Sequence, residues 1–329
     1  MKRVSMPMLV AVLLMFFMPS YADQTAEEML KAIVEVRSIV PSDARTAGAL
    51  GTKREGSGVV IDSEGHIVTI GYLIIEAETI EIVGPAGKRV GASFVAYDHT
   101  TGFGLVRAKE PLGAVPMNLG QSSELSEGEP VLVASHGGPD SVQGAHVISR
   151  SEFAGSWEYL LENAIYTAPP HLRFGGAALI GPDGKLAGIG SLLTQVAVAR
   201  LGSISCNIFV PIDLLKPILA DLIMEGRSAE PPQPWLGVNA TEAHGRVFVL
   251  GVTSGGPAEQ AGIKPGDIIL EVETGAVHGL ADFYRKVRAL GRAGVEVPLS
   301  ILQGTQIRRI VVHSGDRYHY LGIRRNREL

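Results

Sequence analysis

From about residue 33 to about residue 210 the sequence is built from short apolar runs, each ended within a few residues by a turn. Apolar Val34 and Val36 alternate with polar Glu35 and Arg37. The runs Gly58-Val59-Val60-Ile61, His66-Ile67-Val68-Thr69-Ile70, Ile80-Glu81-Ile82-Val83, Leu105-Val106, Val131-Leu132-Val133 and Ala187-Gly188-Ile189 follow. Asp62-Ser63-Glu64-Gly65, Pro85-Ala86-Gly87 and Pro182-Asp183-Gly184 punctuate them with residue types that favour tight turns. Period-two alternation buries one face of a strand, and no long helix stands between the runs. The pattern predicts a mainly β fold, an antiparallel barrel or sandwich.

Helical spacing is confined to the flanks of that region. A short stretch from Glu27 to Ala32 precedes it. After Pro211-Ile212-Asp213, apolar Leu214, Leu215, Ile218, Leu219, Leu222 and Ile223 predict one helix ending at Gly226. Pro231-Pro232-Gln233-Pro234 is then a stiff, extended linker, and a compact module of about 85 residues lies beyond it, with a helix near Leu280 to Leu290. A chain of 329 residues has room for these two cores.

The first 22 residues have the three parts of a secretory signal: Lys2 and Arg3, an apolar run from Met8 to Met18, and Pro19-Ser20-Tyr21-Ala22 before a cut after Ala22. The apolar run is short for a membrane anchor, and no later segment reaches a span's length. Cleavage takes the formal net charge from −5 to −7. That balance excludes an overall basic field for nucleic acid. The single cysteine, Cys206, excludes a disulfide framework and a multi-thiolate metal site. It reads as a buried small apolar residue.

The order of motifs then resembles a known family. Gly56-Ser57-Gly58-Val59-Val60-Ile61 followed by Ile67-Val68-Thr69 resembles the opening of the protease domain of HtrA/Deg proteins, periplasmic trypsin-like serine proteases with C-terminal PDZ modules. Asn207-Ile208-Phe209-Val210-Pro211 resembles that domain's closing strand. Trp235-Leu236-Gly237-Val238, Ser254-Gly255-Gly256-Pro257-Ala258 and Ala261 to Ile269 resemble the PDZ segments. The resemblance covers roughly residues 56 to 312 and implies a trypsin-like double β-barrel followed by a PDZ domain. The implied organisation is a signal peptide over 1–22, a degenerate protease domain over 23–228, a Pro-rich linker over 229–234, a PDZ domain over 235–316 and a basic tail over 317–329.

Carried over residue by residue, the resemblance leaves the catalytic positions without catalytic side chains. The family's chemistry needs a His base, an Asp to orient it and a Ser nucleophile. Tyr72 stands at the base position and Gly102 at the orienter's. Counting back from Asp183-Gly184 puts Gly175 at the nucleophile, or Phe174 after a one-residue shift. The implied protein is a pseudoprotease of the periplasm that works by recognition, as an adaptor, scaffold or holdase. The alternatives are an active endopeptidase with a relocated site and a metal- or cofactor-handling factor.

A PDZ groove adds an extended peptide as a strand and holds its terminal carboxylate on backbone N–H groups. Leu236, Gly237 and Val238 match that loop, while Leu280, Phe283 and Val287, with Tyr284, recur at helical spacing and line an apolar pocket or serve simply as core. The expected partners are protein C-termini or extended peptides, with other HtrA-like proteases beside them. No cofactor and no metal is expected: His99, His136, His146 and His171 lack tight ligand spacing, and His66 beside its turn reads as a surface residue. Residues 23 to 55 carry no Phe, Tyr or Trp, unlike the aromatic segment through which HtrA proteases form trimers. Arg324-Arg325-Asn326-Arg327 reads as a solvated basic terminus.

Overall fold

The computed structural model describes residues 27–198 and 202–323. The expected signal segment and the cluster Arg324 to Arg327 lie outside the described residues. A helical turn at 27–30 leads into two closed six-stranded barrels and a separate sheet.

The first barrel comprises β1 (Ile33–Ile39), β2 (Lys53–Val60), β3 (His66–Ile70), β4 (Thr79–Val83), β5 (Arg89–Tyr97) and β6 (Phe103–Ala108). They close in the order β1-β2-β3-β6-β5-β4. The second comprises β7 (Pro130–Ala134), β8 (Val142–Gly155), β9 (Tyr159–Ala168), β10 (Ala178–Ile180), β11 (Leu186–Val198) and β12 (Gly202–Pro211). These close as β10-β11-β12-β9-β8-β7. Closure removes every edge strand, so short strands with few flanking helices are stable. Ile67, Ile82, Phe103 and Leu105 are fully buried in the first barrel, Ile165, Leu179, Ile189 and Phe209 in the second. Each contributes about 1.5–3 kcal/mol of burial.

The C-terminal sheet has the order β13-β14-β15-β17-β18, formed by β13 (Val238–Ala243), β14 (Arg246–Val252), β15 (Ile268–Val272), β17 (Glu296–Gln303) and β18 (Gln306–His313), with β16 (Gly275–Ala276) paired to β15. The helix Leu280–Ala289 packs on it through buried Leu280, Phe283, Tyr284 and Val287. β13 is an edge strand of this sheet.

Three local expectations are corrected. The helix after Pro211 is split into a 3-10 turn, Ile212–Leu214, and a helix, Leu219–Glu225, because Pro217 has no N–H to continue the ladder. It does stop at Gly226, which takes a left-handed φ of 78° and donates to the Leu222 carbonyl. His66 is not a surface residue: it is 3 % exposed, with Nδ1 at 2.6 Å from Asp62 Oδ2.

Residues 317–323, expected in a basic tail, are folded against the first barrel. Asp316 caps the helix Arg317–Tyr320 by accepting from the amides of Tyr318 and His319. Tyr318 and Leu321 then bury themselves with Ile75 and Tyr97. Tyr318 Oη accepts from the His99 amide at 3.0 Å and donates to Asp98 Oδ1 at 3.2 Å. The aromatic and aliphatic residues between the charges drive this docking, and charge counting overlooked them.

Candidate functional site

The cleft between the barrels assembles Tyr72, Gly102, Phe174 and Gly175. Tyr72 sits in the 3-10 turn Gly71–Leu73 that follows β3. Arg54 fixes this turn from β2, donating from Nη1 to the carbonyls of Tyr72 at 2.9 Å and Ile75 at 3.0 Å. Gly102 joins the same turn, its carbonyl accepting from the Gly71 amide at 2.8 Å. On the facing barrel, the Gly175 carbonyl accepts from the Ser57 amide at 2.8 Å. A Cβ on Gly56 would stand 2.7 Å from that oxygen, so the Gly-Ser-Gly motif is the sequence that lets β2 approach the Gly175 segment.

Each of the three positions is shaped to its present occupant. Tyr72 Oη donates to the Ser191 carbonyl at 3.0 Å. Burial pushes its phenol well above the ordinary range, so it stays a neutral hydrogen-bond donor. A Cβ at Gly175 would lie 2.8 Å from Tyr72 Oη. Gly102 has φ +84°, and a Cβ there would meet Tyr159 Oη at 3.2 Å. Tyr159 Oη is itself committed to the Thr101 carbonyl at 2.6 Å. The cleft opens into a cavity of about 570 Å³ whose lining includes Tyr72, Trp157, Tyr159, Phe174, Trp235 and Tyr320. It is an aromatic recess with no imidazole on its wall.

The second site lies on the C-terminal sheet. The amides of Leu236, Gly237 and Val238 converge at the start of the edge strand β13, and the conformation needs Gly237 at φ +77°. All three donate to one carboxylate, that of Glu158: Leu236 N to Oε2 at 2.9 Å, Gly237 N to Oε1 at 2.6 Å and Val238 N to Oε1 at 2.8 Å. Glu158 belongs to the turn between β8 and β9 and is 8 % exposed. Burial raises its pKa, against the downward pull of the three amides and Arg317. Leu280, Phe283 and Val287 are 6 %, 0 % and 3 % exposed and belong to one buried cluster with Leu236, Val238 and the second barrel's Leu160.

The comparisons with known proteins agree with this layout. A trypsin-like peptidase domain matches residues 56–189 and a PDZ domain matches residues 234–313. This order of domains is similar to that of HtrA-type serine proteases. Serine protease PepD of Mycobacterium tuberculosis is 26 % identical over 277 residues, covering 76 % of this chain and 59 % of the relative. The periplasmic pH-dependent serine endoprotease DegQ of Escherichia coli is 26 % identical over 263 residues, covering 75 % of this chain and 56 % of the relative. The chain thus spans less than two thirds of the length of these curated relatives. Among solved structures, the HtrA-type protease AlgW with decapeptide aligns with a TM-score of 0.54 at 20 % identity, over 91 % of this chain and 99 % of that one. A serine endoprotease from Yersinia pestis aligns with a TM-score of 0.53 at 23 % identity, over 91 % and 99 %.

His136 lines a second cavity of about 570 Å³ at the cleft together with Glu55, Ser57, Tyr72, Phe174 and Gly175. His136 Nδ1 lies 3.1 Å from Ser57 Oγ, whose oxygen also accepts the His136 amide at 3.0 Å. His136 Nε2 is 3.9 Å from Glu55 Oε1. Glu35, Glu55 and His136 form the one trio of donors among the described residues close enough to share an ion, with ligand atoms within 4.8 Å of one another. Arg37 Nε already holds Glu35 Oε1 at 2.6 Å, which sets a cation beside the place an ion would take. His171 is buried, its amide donating to Asn207 Oδ1 at 2.6 Å. Cys206 is fully buried, which pushes its thiol pKa up.

Sequence reasoning missed Glu158 at the groove and Trp157 and Tyr159 on the wall of the cleft cavity. One signal was available in principle. Gly155-Ser156-Trp157-Glu158 sits between two strands, a turn-length interval with an acidic residue where hairpins prefer Gly or Asn.

Proposed function

We propose that this chain is a periplasmic HtrA-like pseudoprotease that recognises proteins or peptides through its PDZ groove and degenerate cleft, as an adaptor, scaffold or holdase. The observation that carries the reading is the Tyr72–Gly175 fit. The phenol stands 2.8 Å from the point where a nucleophile's Cβ would begin. It is a neutral donor engaged with the Ser191 carbonyl, and so unsuited to act as the base of a serine nucleophile. A PDZ domain supplies the peptide-binding element, with C-termini or extended segments as its ligand class. DegQ and DegP, periplasmic by name, support the compartment.

The rival reading, an active endopeptidase with a relocated site, has one observation in its favour. Ser57, His136 and Glu55 line up in space as a hydroxyl, an imidazole and a carboxylate, at 3.1 and 3.9 Å. Ser57 is fully buried, however, and its hydroxyl oxygen holds the His136 amide, which is a structural lock between β2 and the loop after β7. Incubation of the purified chain with a fluorophosphonate probe, followed by peptide mapping, separates the two. The expected result is no labelled serine and no cleavage of unfolded casein. A label on Ser57 that denaturation abolishes would establish the relocated site and overturn the pseudoprotease reading.

A further inference from the structure

We infer that Glu158 is an internal ligand of the PDZ carboxylate loop, so that the groove is closed in cis and admits a free C-terminal peptide only after the turn Gly155–Glu158 withdraws. The inference rests on the reading of this groove as a peptide site.

The match to a bound peptide extends beyond the carboxylate. A strand added along β13 with its terminal carboxylate on residues 236–238 offers the carbonyl two residues before its end to the amide two residues after Val238, because ladder contacts recur with period two. Two residues before Glu158 is Ser156, and its carbonyl accepts from the Ala240 amide at 2.9 Å. The turn therefore occupies the exposed edge of β13 in the register a peptide ligand would use, with the Glu158 side chain replacing a chain terminus.

The groove's other wall grips the same turn. Tyr284, on the helix Leu280–Ala289, donates from Oη to the Gly155 carbonyl at 2.8 Å and accepts from the Glu158 amide at 3.2 Å. Arg317 Nη1 donates to the Trp157 carbonyl at 2.8 Å. Leu160, beside the turn, is 3 % exposed in the same buried cluster as Leu280, Phe283 and Val287. A cavity of about 20 Å³ remains between Glu158, Trp235, Phe283 and Val287, space for roughly one water. No peptide side chain fits there while the turn is in place.

The backbone also argues that Glu158 is present for its carboxylate. It holds φ +60°, a left-handed conformation that is strained for an L-residue and natural for glycine or asparagine. The strain is sustained by the three amides, and neither Gly nor Asn would bring an anion to them.

The test compares the full chain with its Glu158→Ala and Glu158→Gln variants. The probe is a fluorescein-labelled pool of octapeptides with random residues ending in Val, Leu or Phe, synthesised once with a free carboxylate and once as the C-terminal amide. Binding is read by anisotropy, and the exchange of the amides of residues 236–240 by NMR. The expected result is at least about tenfold tighter binding of the free-carboxylate pool by both variants, with no gain for the amide pool, since occupation by an internal competitor lowers apparent affinity by the open fraction. The amides of residues 236–238 and Ala240 are expected to exchange faster in both variants. Equal binding by wild type and variants, or equally fast exchange of these amides in wild type, would overturn the inference. Faster exchange without any peptide binding would uphold the internal ligand and overturn the peptide-recognition reading. Glu158→Gln preserves the size of the side chain and carries the comparison should Glu158→Ala fail to fold.

Discussion

The cleft between the barrels and the groove of the PDZ domain are both filled by the chain's own side chains, but by different routes. In the cleft, space is taken by residues at or directly against the functional positions: Tyr72 reaches over Gly175, and Tyr159 covers Gly102. In the groove, the proposed binding residues keep their form. The amides of Leu236, Gly237 and Val238 still converge, and a turn from another domain lies on them. A site altered by substitution stays altered in every conformation of the chain. A site covered by a neighbouring element reopens whenever that element leaves, at a free-energy cost set by their contacts. On the proposed reading, the cleft's change is permanent and the groove's closure is conditional.

The largest expected effect tests how firmly the cleft is built. Gly176 has φ +73°, and a Cβ there would lie 1.8 Å from the Ser57 carbonyl oxygen and 2.7 Å from Thr69 Oγ1. Both neighbours belong to strands of the first barrel, so neither can retreat without breaking its ladder. Gly176→Ala should destabilise the protein by about 4 kcal/mol or more, among the severe single substitutions. Gly237 in the PDZ loop has a similar φ of +77°, but its nearest side-chain atoms lie at 3.3 Å. Gly237→Ala should cost only about 1–2 kcal/mol, the conformational penalty of a left-handed L-residue. Urea titration of both variants checks the contrast. Equal losses would show that the cleft is no more tightly determined than the groove.

A second test addresses the coupling inside the cleft. Gly175→Ser alone places its Cβ against Tyr72 Oη and should lower stability, whereas Gly175→Ser combined with Tyr72→Ala should recover part of the loss. The double-mutant cycle is expected to give a coupling of about 1–3 kcal/mol, the range for residues in direct contact. Additive losses would mean that the phenol does not occupy the nucleophile's space, and would weaken the case against catalysis.

The β architecture was legible because it rests on local signals. Period-two runs and turn residues such as Asp62 to Gly65 specify strands and their ends within a few positions of one another. The Leu236-Gly237-Val238 loop was read from its resemblance to PDZ segments, with Gly237 allowing close backbone approach, and the left-handed φ of +77° is what the structure adds. The helix after Ile212 was read as continuous because apolar spacing outweighed Pro217, whose missing N–H breaks it. Glu158 was not legible at all. Its three partners lie 78 to 80 residues away, and nothing near it in sequence records them. The tail misled in the same way: Tyr318 and Leu321 pack on Ile75 and Tyr97 of the first barrel, contacts that only the fold creates.

The smallest expected effect concerns the outer fastening of the groove. Arg285, on the PDZ helix, bonds to Glu162 at 2.6 Å and also to Glu152, one carboxylate on each strand flanking the turn. These groups are 44 %, 61 % and 47 % exposed, so water and salt screen them. Arg285→Ala should loosen the closed form by no more than about 1 kcal/mol. The sign with pH follows from Glu162, whose pKa is held below the ordinary carboxylate value chiefly by the Arg285 hydrogen bond. The bridge's contribution is therefore fully present above the ordinary carboxylate pKa and is lost as pH falls through the depressed one. Amide exchange at Gly237 and Ala240, corrected for its intrinsic pH dependence, should rise only slightly in Arg285→Ala at low salt. It should match wild type once salt is high or the carboxylates are protonated. A large rise at low salt that disappears at high salt would move the main fastening from the buried amides around Glu158 to this exposed ion pair, and the groove would then open with ionic strength alone.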